Sequence, residues 1–159
     1  MAQTDREIHW VKGLDPIANA FAGTVNTDVF EAWGHEVVFI IYKGVGATGT
    51  ATITVQACDD TTPTNTTAVP FRYRTCTTGD TWGAWTAALA AGFTTTAGSS
   101  QLYEIRVDPA DLGATGYGYV RLHAVEVVAN AVLGGVLAGV VALRYREQPE
   151  SLIEGVDKP

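Results

Sequence analysis

Apolar and polar residues alternate with a period of two in several parts of the chain. Over residues 50–58, one set of alternate positions holds alanine, isoleucine and valine, and the other holds threonine and glutamine. Residues 102–108 alternate in the same way, with apolar side chains opposite charged ones. Because successive side chains of a strand point to opposite faces, both segments are predicted to be half-buried β-strands.

Further strands are predicted where β-branched and aromatic residues are bounded by glycine, proline or polar turns. They cover residues 24–33, 36–43, 69–77, 93–96, 118–128 and 132–146. Residues 82–91 fit a strand or a short helix. The connections are too short for crossover helices, so antiparallel pairing is expected. The sequence therefore predicts an all-β fold, an antiparallel, jelly-roll-like β-sandwich of about eight strands with extended terminal arms.

The two ends of the chain lack this pattern. Residues 1–20 show no sustained periodicity and are predicted to be an N-terminal arm, in which Ile8, Trp10 and Ile17 are available to contact a partner. Residues 21–146 are predicted to form the sandwich domain, and residues 147–159 a polar C-terminal tail. A chain of 159 residues fits one such domain without a second.

The charge balance argues against one class of partner. The formal net charge is −7, and the few basic residues are scattered. Nucleic-acid binding depends on clustered lysine and arginine side chains, so no nucleic-acid partner is expected. The acidic surface is explained by solubility, or by a basic surface on a partner protein.

One apolar segment, Val127–Leu143, is almost long enough to cross a membrane. Its Gly135 and Gly139 have the GxxxG spacing of packed membrane helices. The segment is rich in valine and glycine instead of leucine, which favours a strand buried on both faces. The unbroken apolar run 36–43 is likewise predicted to be a strand with both faces covered. No membrane partner is therefore expected.

The start of the chain is polar and does not resemble a secretory signal, so the protein is expected to be made in a reducing cytoplasm. Cys58 and Cys76 fall far apart along the predicted ladder, which makes a disulfide between them improbable.

Residue types that carry catalysis are present but not grouped. The Gly-x-Gly-x-x-Gly pattern at residues 44–49 precedes an alternating strand and not the helix that a nucleotide site needs. None of the serines lies in a Gly-x-Ser-x-Gly elbow. The histidines, His9, His35 and His123, lack metal-ligand spacing. The sequence therefore predicts no catalytic, cofactor or metal site, and a protein that is not an enzyme.

Aromatic side chains are the more informative set, because tyrosine and tryptophan are enriched at interfaces and sugar-binding platforms. The set comprises Tyr73, Trp82, Trp85, Tyr117 and Tyr119, and its alternative role is packing at the ends of the sandwich. The apolar strand 132–142 is a second candidate surface. The predicted interface residues are Ile8, Trp10, Ile17, Trp82, Trp85, Tyr117, Tyr119, Val136 and Val140.

A series of segments between residues 25 and 146 gives a family resemblance. In order, they are 44–57 (GVGATGTATITVQA), 69–74 (VPFRYR), 78–83 (TGDTWG), 92–95 (GFTT), 102–112 (LYEIRVDPADL), 119–122 (YVRL) and 133–141 (LGGVLAGVV). This order resembles small structural proteins of tailed bacteriophages and prophages, of the capsid decoration (cement) kind. The resemblance carries no active-site motif, and it does not extend to residues 1–20 or 147–159.

The resemblance implies a β-sandwich or jelly roll that assembles as a trimer or dimer. It also implies a virion protein, made in the bacterial host cytoplasm, that clamps adjacent major capsid protein subunits from the capsid surface. The alternative left open by the residues is a carbohydrate- or receptor-binding module, such as a head fibre or tail accessory protein, that uses Trp82 and Trp85.

Overall fold

The computed structural model describes residues 6–44, 48–79, 81–98, 101–132 and 134–143. For Arg6, Glu7, Thr78 and residues 140–143 the backbone alone is described. The predicted C-terminal tail, residues 147–159, lies outside the described residues, and so does the start of the predicted N-terminal arm.

The described residues form thirteen strands and one short helix. The elements are β1 (Arg6–Ile17), β2 (Thr24–Asn26), β3 (Phe30–Glu31), β4 (Glu36–Lys43), β5 (Thr50–Cys58), β6 (Thr66–Val69), β7 (Phe71–Thr78), β8 (Thr81–Trp82), β9 (Thr86–Ala88), β10 (Phe93–Thr94), β11 (Gln101–Val107), α1 (Pro109–Gly113), β12 (Tyr119–Val128) and β13 (Gly134–Leu143). The number of strands exceeds the predicted eight because β1 was predicted as an arm, one predicted strand is divided into β2 and β3, and β6, β8 and β9 are too short to leave a periodic signal.

The strands form two sheets. A seven-stranded sheet has the order β1-β13-β4-β11-β7-β8, with β9 also paired to β7. A six-stranded sheet has the order β10-β5-β12-β2, with β3 on β12 and β6 on β5. Neighbours in both sheets are antiparallel. The all-β antiparallel sandwich predicted from the sequence is confirmed.

The hydrophobic core lies between the sheets. Alternate residues of β4 and β5 face it, and their side chains are almost completely buried: Val37, Phe39, Ile41, Ile53 and Val55. The strands β7, β10 and β11 add an aromatic cluster, in which Tyr73 stacks on Phe93 with ring centroids 4.0 Å apart. At about 25 cal/mol per Å² of apolar area removed from water, this burial is the main favourable contribution to folding.

The segment predicted as an arm is largely a strand. Arg6–Ile17 forms β1 at the edge of the seven-stranded sheet, where it pairs with β13 from Arg6 opposite Leu143 to Ile17 opposite Gly134. The sequence did not show this, because the register shifts between Lys12 and Leu14 and again between Leu14 and Ile17. Such bulges interrupt the alternation by which a strand is recognised.

The outer face of β13 is not covered, which corrects the expectation for residues 127–143, whereas β4 is buried on both faces except near its end. On β13, Val136 and Ala138 face the core, whereas Leu137 between them is exposed. On β4, Tyr42 is likewise exposed. The continuous apolar runs arise because the outer face of this sheet is itself apolar here. Within the described part of the chain, no helix is long and apolar enough to cross a membrane.

Other boundaries differ in detail. Residues 24–33, predicted as one strand, form β2 and β3, with Thr27 buried between them. The hydroxyl of Thr27 accepts a hydrogen bond from the Leu122 amide at 3.0 Å, which fixes this break against β12. The ambiguous segment 82–91 is not a helix, because it contains the last residue of β8 and the whole of β9.

Candidate interaction surface

The outer face of the seven-stranded sheet carries an apolar strip at its β1 end. We define this apolar strip by four side chains from three adjacent strands, Ile8, Trp10, Leu137 and Tyr42, which are 41%, 45%, 49% and 58% exposed. The register places Leu137 between Lys12 on β1 and Ile40 on β4, and Tyr42 follows Ile40 on the same face. Successive members are therefore same-face neighbours, and the four side chains form a diagonal row from Ile8 through Trp10 and Leu137 to Tyr42.

Two glycines of β13 shape the strip. A Cβ atom at Gly139 would lie 2.8 Å from both the Trp10 ring and the Ile8 side chain. The side chains of β1 therefore lie across β13 at this position. A Cβ atom at Gly135 would lie 3.1 Å from the backbone of Leu14 and Pro16, where β1 is bulged. The GxxxG spacing noted in the sequence thus serves close packing of one strand on another, with no helix involved.

A charged network lies on the same outer face, across β4, β11 and β7. The guanidinium of Arg106 donates to Glu36 at 2.8 Å and to Glu104 at 2.7 Å. Glu104 also accepts from Arg74 at 2.7 Å, and Arg72 lies 3.9 Å from Glu36. Glu104 is buried even though it faces outward. This is possible because both its carboxylate oxygens are held by arginines.

Two tryptophans surround the guanidinium groups of this network. The guanidinium carbon of Arg74 lies 4.6 Å from the ring centroid of Trp82 and 4.7 Å from that of Trp85. Arg106 lies 5.1 Å from the centroid of Trp85. These distances are within the range of cation–π attraction. The fold brings Trp82 and Trp85 together as the sequence suggested, but it places arginines against the ring faces that a sugar would stack on.

The tyrosines of the aromatic set do not join this surface. Tyr73 is stacked in the core on Phe93, and Tyr117 packs against the core from a loop. Tyr119 lies in β12, in the other sheet, opposite Cys58 and Glu31. The aromatic set is therefore divided between core and surface, and only the tryptophans lie on the outer face of the seven-stranded sheet.

The remaining predicted interface residues have different locations. Ile8, Trp10 and Ile17 are all exposed along β1. Val136 is a core residue, so its prediction as an interface residue is wrong: β13 turns this position inward. The side chain of Val140 lies outside the described residues. The sequence analysis missed Tyr42 and Leu137, since an exposed side chain within an apolar run has no sequence signal of its own.

The histidines and cysteines do not form a cluster. His9 lies on β1, His35 just before β4 and His123 on β12, and the described residues contain no group of three metal-ligating side chains. Cys58 and Cys76 are buried and form no disulfide; they lie in opposite sheets and not on the one ladder that the sequence had suggested. Burial raises the pKa of the Cys58 thiol, which disfavours the reactive thiolate.

Lys43 is the most unusual of the titratable groups because its side chain is fully buried. Its ammonium group donates to the backbone carbonyls of Gly49 at 2.8 Å and Thr96 at 2.7 Å. Burial lowers the pKa of Lys43 below its ordinary value. The contacts tie the Gly49 turn and the segment after β10 to the end of β4, which is a structural role.

Comparison with known proteins gives no family. No family model and no curated protein matches the chain. A structure of T=1 particles derived from infectious bursal virus shares 10% identity over 94% of this chain, with a TM-score of 0.27. A structure of the infectious bursal disease virus Gx strain shares 12% identity over 95%, with a TM-score of 0.25. The chain spans 46% and 44% of those two proteins. TM-scores of this size do not establish a common fold.

Proposed function

We propose that this chain is a non-catalytic structural virion protein that binds the outside of a phage capsid. In this role it stabilises the capsid by bridging major capsid protein subunits. The observation that supports the proposal best is the apolar strip. Ile8, Trp10, Leu137 and Tyr42 are each more than two-fifths exposed on neighbouring strands of one sheet. Contiguous exposed apolar side chains with a polar surround are typical of protein interaction sites.

The strip has the physical properties of a preorganised binding face. Its side chains project from the three strands β1, β13 and β4, which are joined by continuous antiparallel ladders. Little backbone freedom is lost when such a surface binds, so more of the apolar burial appears as affinity. Trp10 is the side chain expected to contribute most, because tryptophan dominates interface energetics.

Stabilisation of the capsid by this protein would follow from mass action. A protein that binds only the assembled shell stabilises that shell in proportion to its occupancy. The charged network beside the strip adds a rim of arginines, of which Arg72 is 65% exposed and available to acidic groups of a partner. A capsid surface that complements this face would present apolar residues bordered by carboxylates.

The test is binding to capsids assembled from the major capsid protein encoded in the same genome. Co-sedimentation with these capsids should be saturable, and Trp10→Lys and Leu137→Lys should each weaken binding by about 30-fold, the loss of about 2 kcal/mol expected at an interface hot spot. Leu89→Lys is the matched control, because Leu89 is 77% exposed on another part of the surface and should leave binding unchanged.

Two results would contradict the proposal. If the unmodified protein does not sediment with capsids, the virion role is wrong. If it binds but the strip variants bind equally well, the strip is not the contact. A glycan-array signal that is lost in Trp85→Ala would instead favour the carbohydrate-binding alternative. That result would require a sugar to displace Arg74 or Arg106 from the ring.

A further inference from the structure

In the part of the chain that the structure describes, β1 lies at the end of its sheet and has a partner strand on one side only. It pairs with β13 without interruption from Arg6 opposite Leu143 to Lys12 opposite Leu137. No strand among the described residues pairs with its other side. Backbone N–H and C=O groups that point away from β13 are therefore available to a further strand.

The two halves of this edge differ in how they are protected. The second half has register shifts after Lys12 and after Leu14, and it contains Pro16. There, the amide of Asp28 also donates to the carbonyl of Gly13 at 2.9 Å. Bulges, proline and covering loops are the usual means by which proteins block edge pairing. The first half, residues 8–11, has none of these, and its Ile8, His9 and Trp10 side chains are exposed.

We infer that a second copy of this chain occupies this edge, with the 8–11 segments of the two β1 strands paired antiparallel about a two-fold axis that passes between one residue of the segment and its own copy. An antiparallel strand is complementary to itself, so a single segment supplies both sides of the interface. The segment contains no carboxylate and no lysine, so the pairing places no such like charges opposite each other. Ile8 and Trp10 are of the β-branched and aromatic types that stabilise cross-strand pairs.

The pairing also extends the surface on which the proposed function depends. A two-fold axis perpendicular to the sheet leaves both outer faces on the same side. The apolar strips of the two copies then adjoin through Ile8 and Trp10, so the dimer presents one continuous apolar face. Dimerisation is measured on the purified protein without capsids, so its failure and the failure of capsid binding are separate results.

The first test is sedimentation equilibrium over a range of protein concentrations. We expect a monomer–dimer equilibrium whose dissociation constant rises at least tenfold in Ile8→Lys and in Trp10→Lys, because charged side chains at an edge oppose pairing. Leu89→Lys should not change it. Tyr42→Lys separates edge pairing from face-to-face stacking of two strips, since Tyr42 lies on β4, two strands from the edge. The Tyr42→Lys variant should therefore still form the dimer.

The second test fixes the geometry by oxidative crosslinking of variants that each carry one added cysteine, at position 8, 9, 10 or 11, in the chain that retains Cys58 and Cys76. In antiparallel two-fold pairing only the residue at the axis lies opposite itself, at a Cα separation of about 4.5–5.5 Å that a disulfide can bridge. One position should therefore crosslink most and its neighbours less. The unmodified chain is the blank, because Cys58 and Cys76 are buried.

Three results would overturn the inference. The protein could remain monomeric at all concentrations tested. It could form a dimer that Tyr42→Lys disrupts and Ile8→Lys does not. Finally, positions 8–11 could crosslink equally well, which indicates parallel pairing.

Discussion

Replacing Glu104 with alanine is expected to destabilise the protein by about 3–5 kcal/mol, the usual result of removing one partner from a buried ion pair. Glu104 receives hydrogen bonds from Arg74 and Arg106, both at 2.7 Å, and its side chain is 7% exposed. Without it, the partly buried guanidinium groups of Arg74 on β7 and Arg106 on β11 lose the carboxylate that lies between them. Urea denaturation at neutral pH would measure the change in free energy of unfolding.

Arg72→Ala is the matched control for Glu104→Ala. Arg72 belongs to the same network, but its side chain is 65% exposed and lies 3.9 Å from Glu36. Exposed pairs of this kind contribute about 0–1 kcal/mol, so the variant should unfold almost as the unmodified protein does. Equal losses in the two variants would contradict the distinction between the buried and the exposed ion pairs, and a loss below about 1 kcal/mol for Glu104→Ala would show that the buried pairs are not stabilising.

Gly92→Ala is expected to cost about 2–5 kcal/mol, for two separate reasons. Gly92 has a φ angle of +75°, a left-handed conformation that costs other residues about 1–2 kcal/mol. In addition, a Cβ atom there would overlap the carbonyl oxygen of Ile53 on β5. This backbone cannot move without disturbing the pairing of β10 with β5, and overpacking of this kind costs about 1–3 kcal/mol.

Gly23→Ala separates the two contributions. Gly23 also has a positive φ angle, +64°, but no atom lies within 4 Å of the position where its Cβ would be. It should lose only the conformational part, about 1–2 kcal/mol. Thermal and urea denaturation of both variants would give the difference, which measures the close approach of Gly92 to β5. If the two variants are equally stable, Gly92 does not approach the backbone of β5 as closely as described.

The sequence by itself was sufficient for the class of fold. Strands β4 and β5 have the predicted bounds, because β5 alternates strictly and β4 is continuously apolar between turns. The segment of β1 was predicted as an arm and not as a strand, because two bulges break its alternation. The short strand β10 falls within the predicted segment 93–96, but β8 and β9 could not be predicted, because two or three residues become a strand only when a partner strand supplies their hydrogen bonds.

The candidate surface was only partly predictable. Ile8, Trp10, Trp82 and Trp85 could be selected from residue type, and all four lie on the outer face of the seven-stranded sheet. Nothing in the sequence separated Tyr42 and Leu137 from the core, or showed that Val136 is buried. The direction of a side chain depends on strand register, and register is set by pairing between segments that are distant in the chain.

What the sequence determined about this protein is an antiparallel β-sandwich with an acidic charge balance. Local alternation and turn residues encode the strands, and the composition fixes the charge. The tertiary structure alone decided which apolar residues remain in contact with water and that residues 6–17 form an exposed sheet edge. It also decided that Arg74 lies against two tryptophans. These features depend on β1 meeting β13 and β7 meeting β11, and such long-range pairings leave no trace in the order of neighbouring residues.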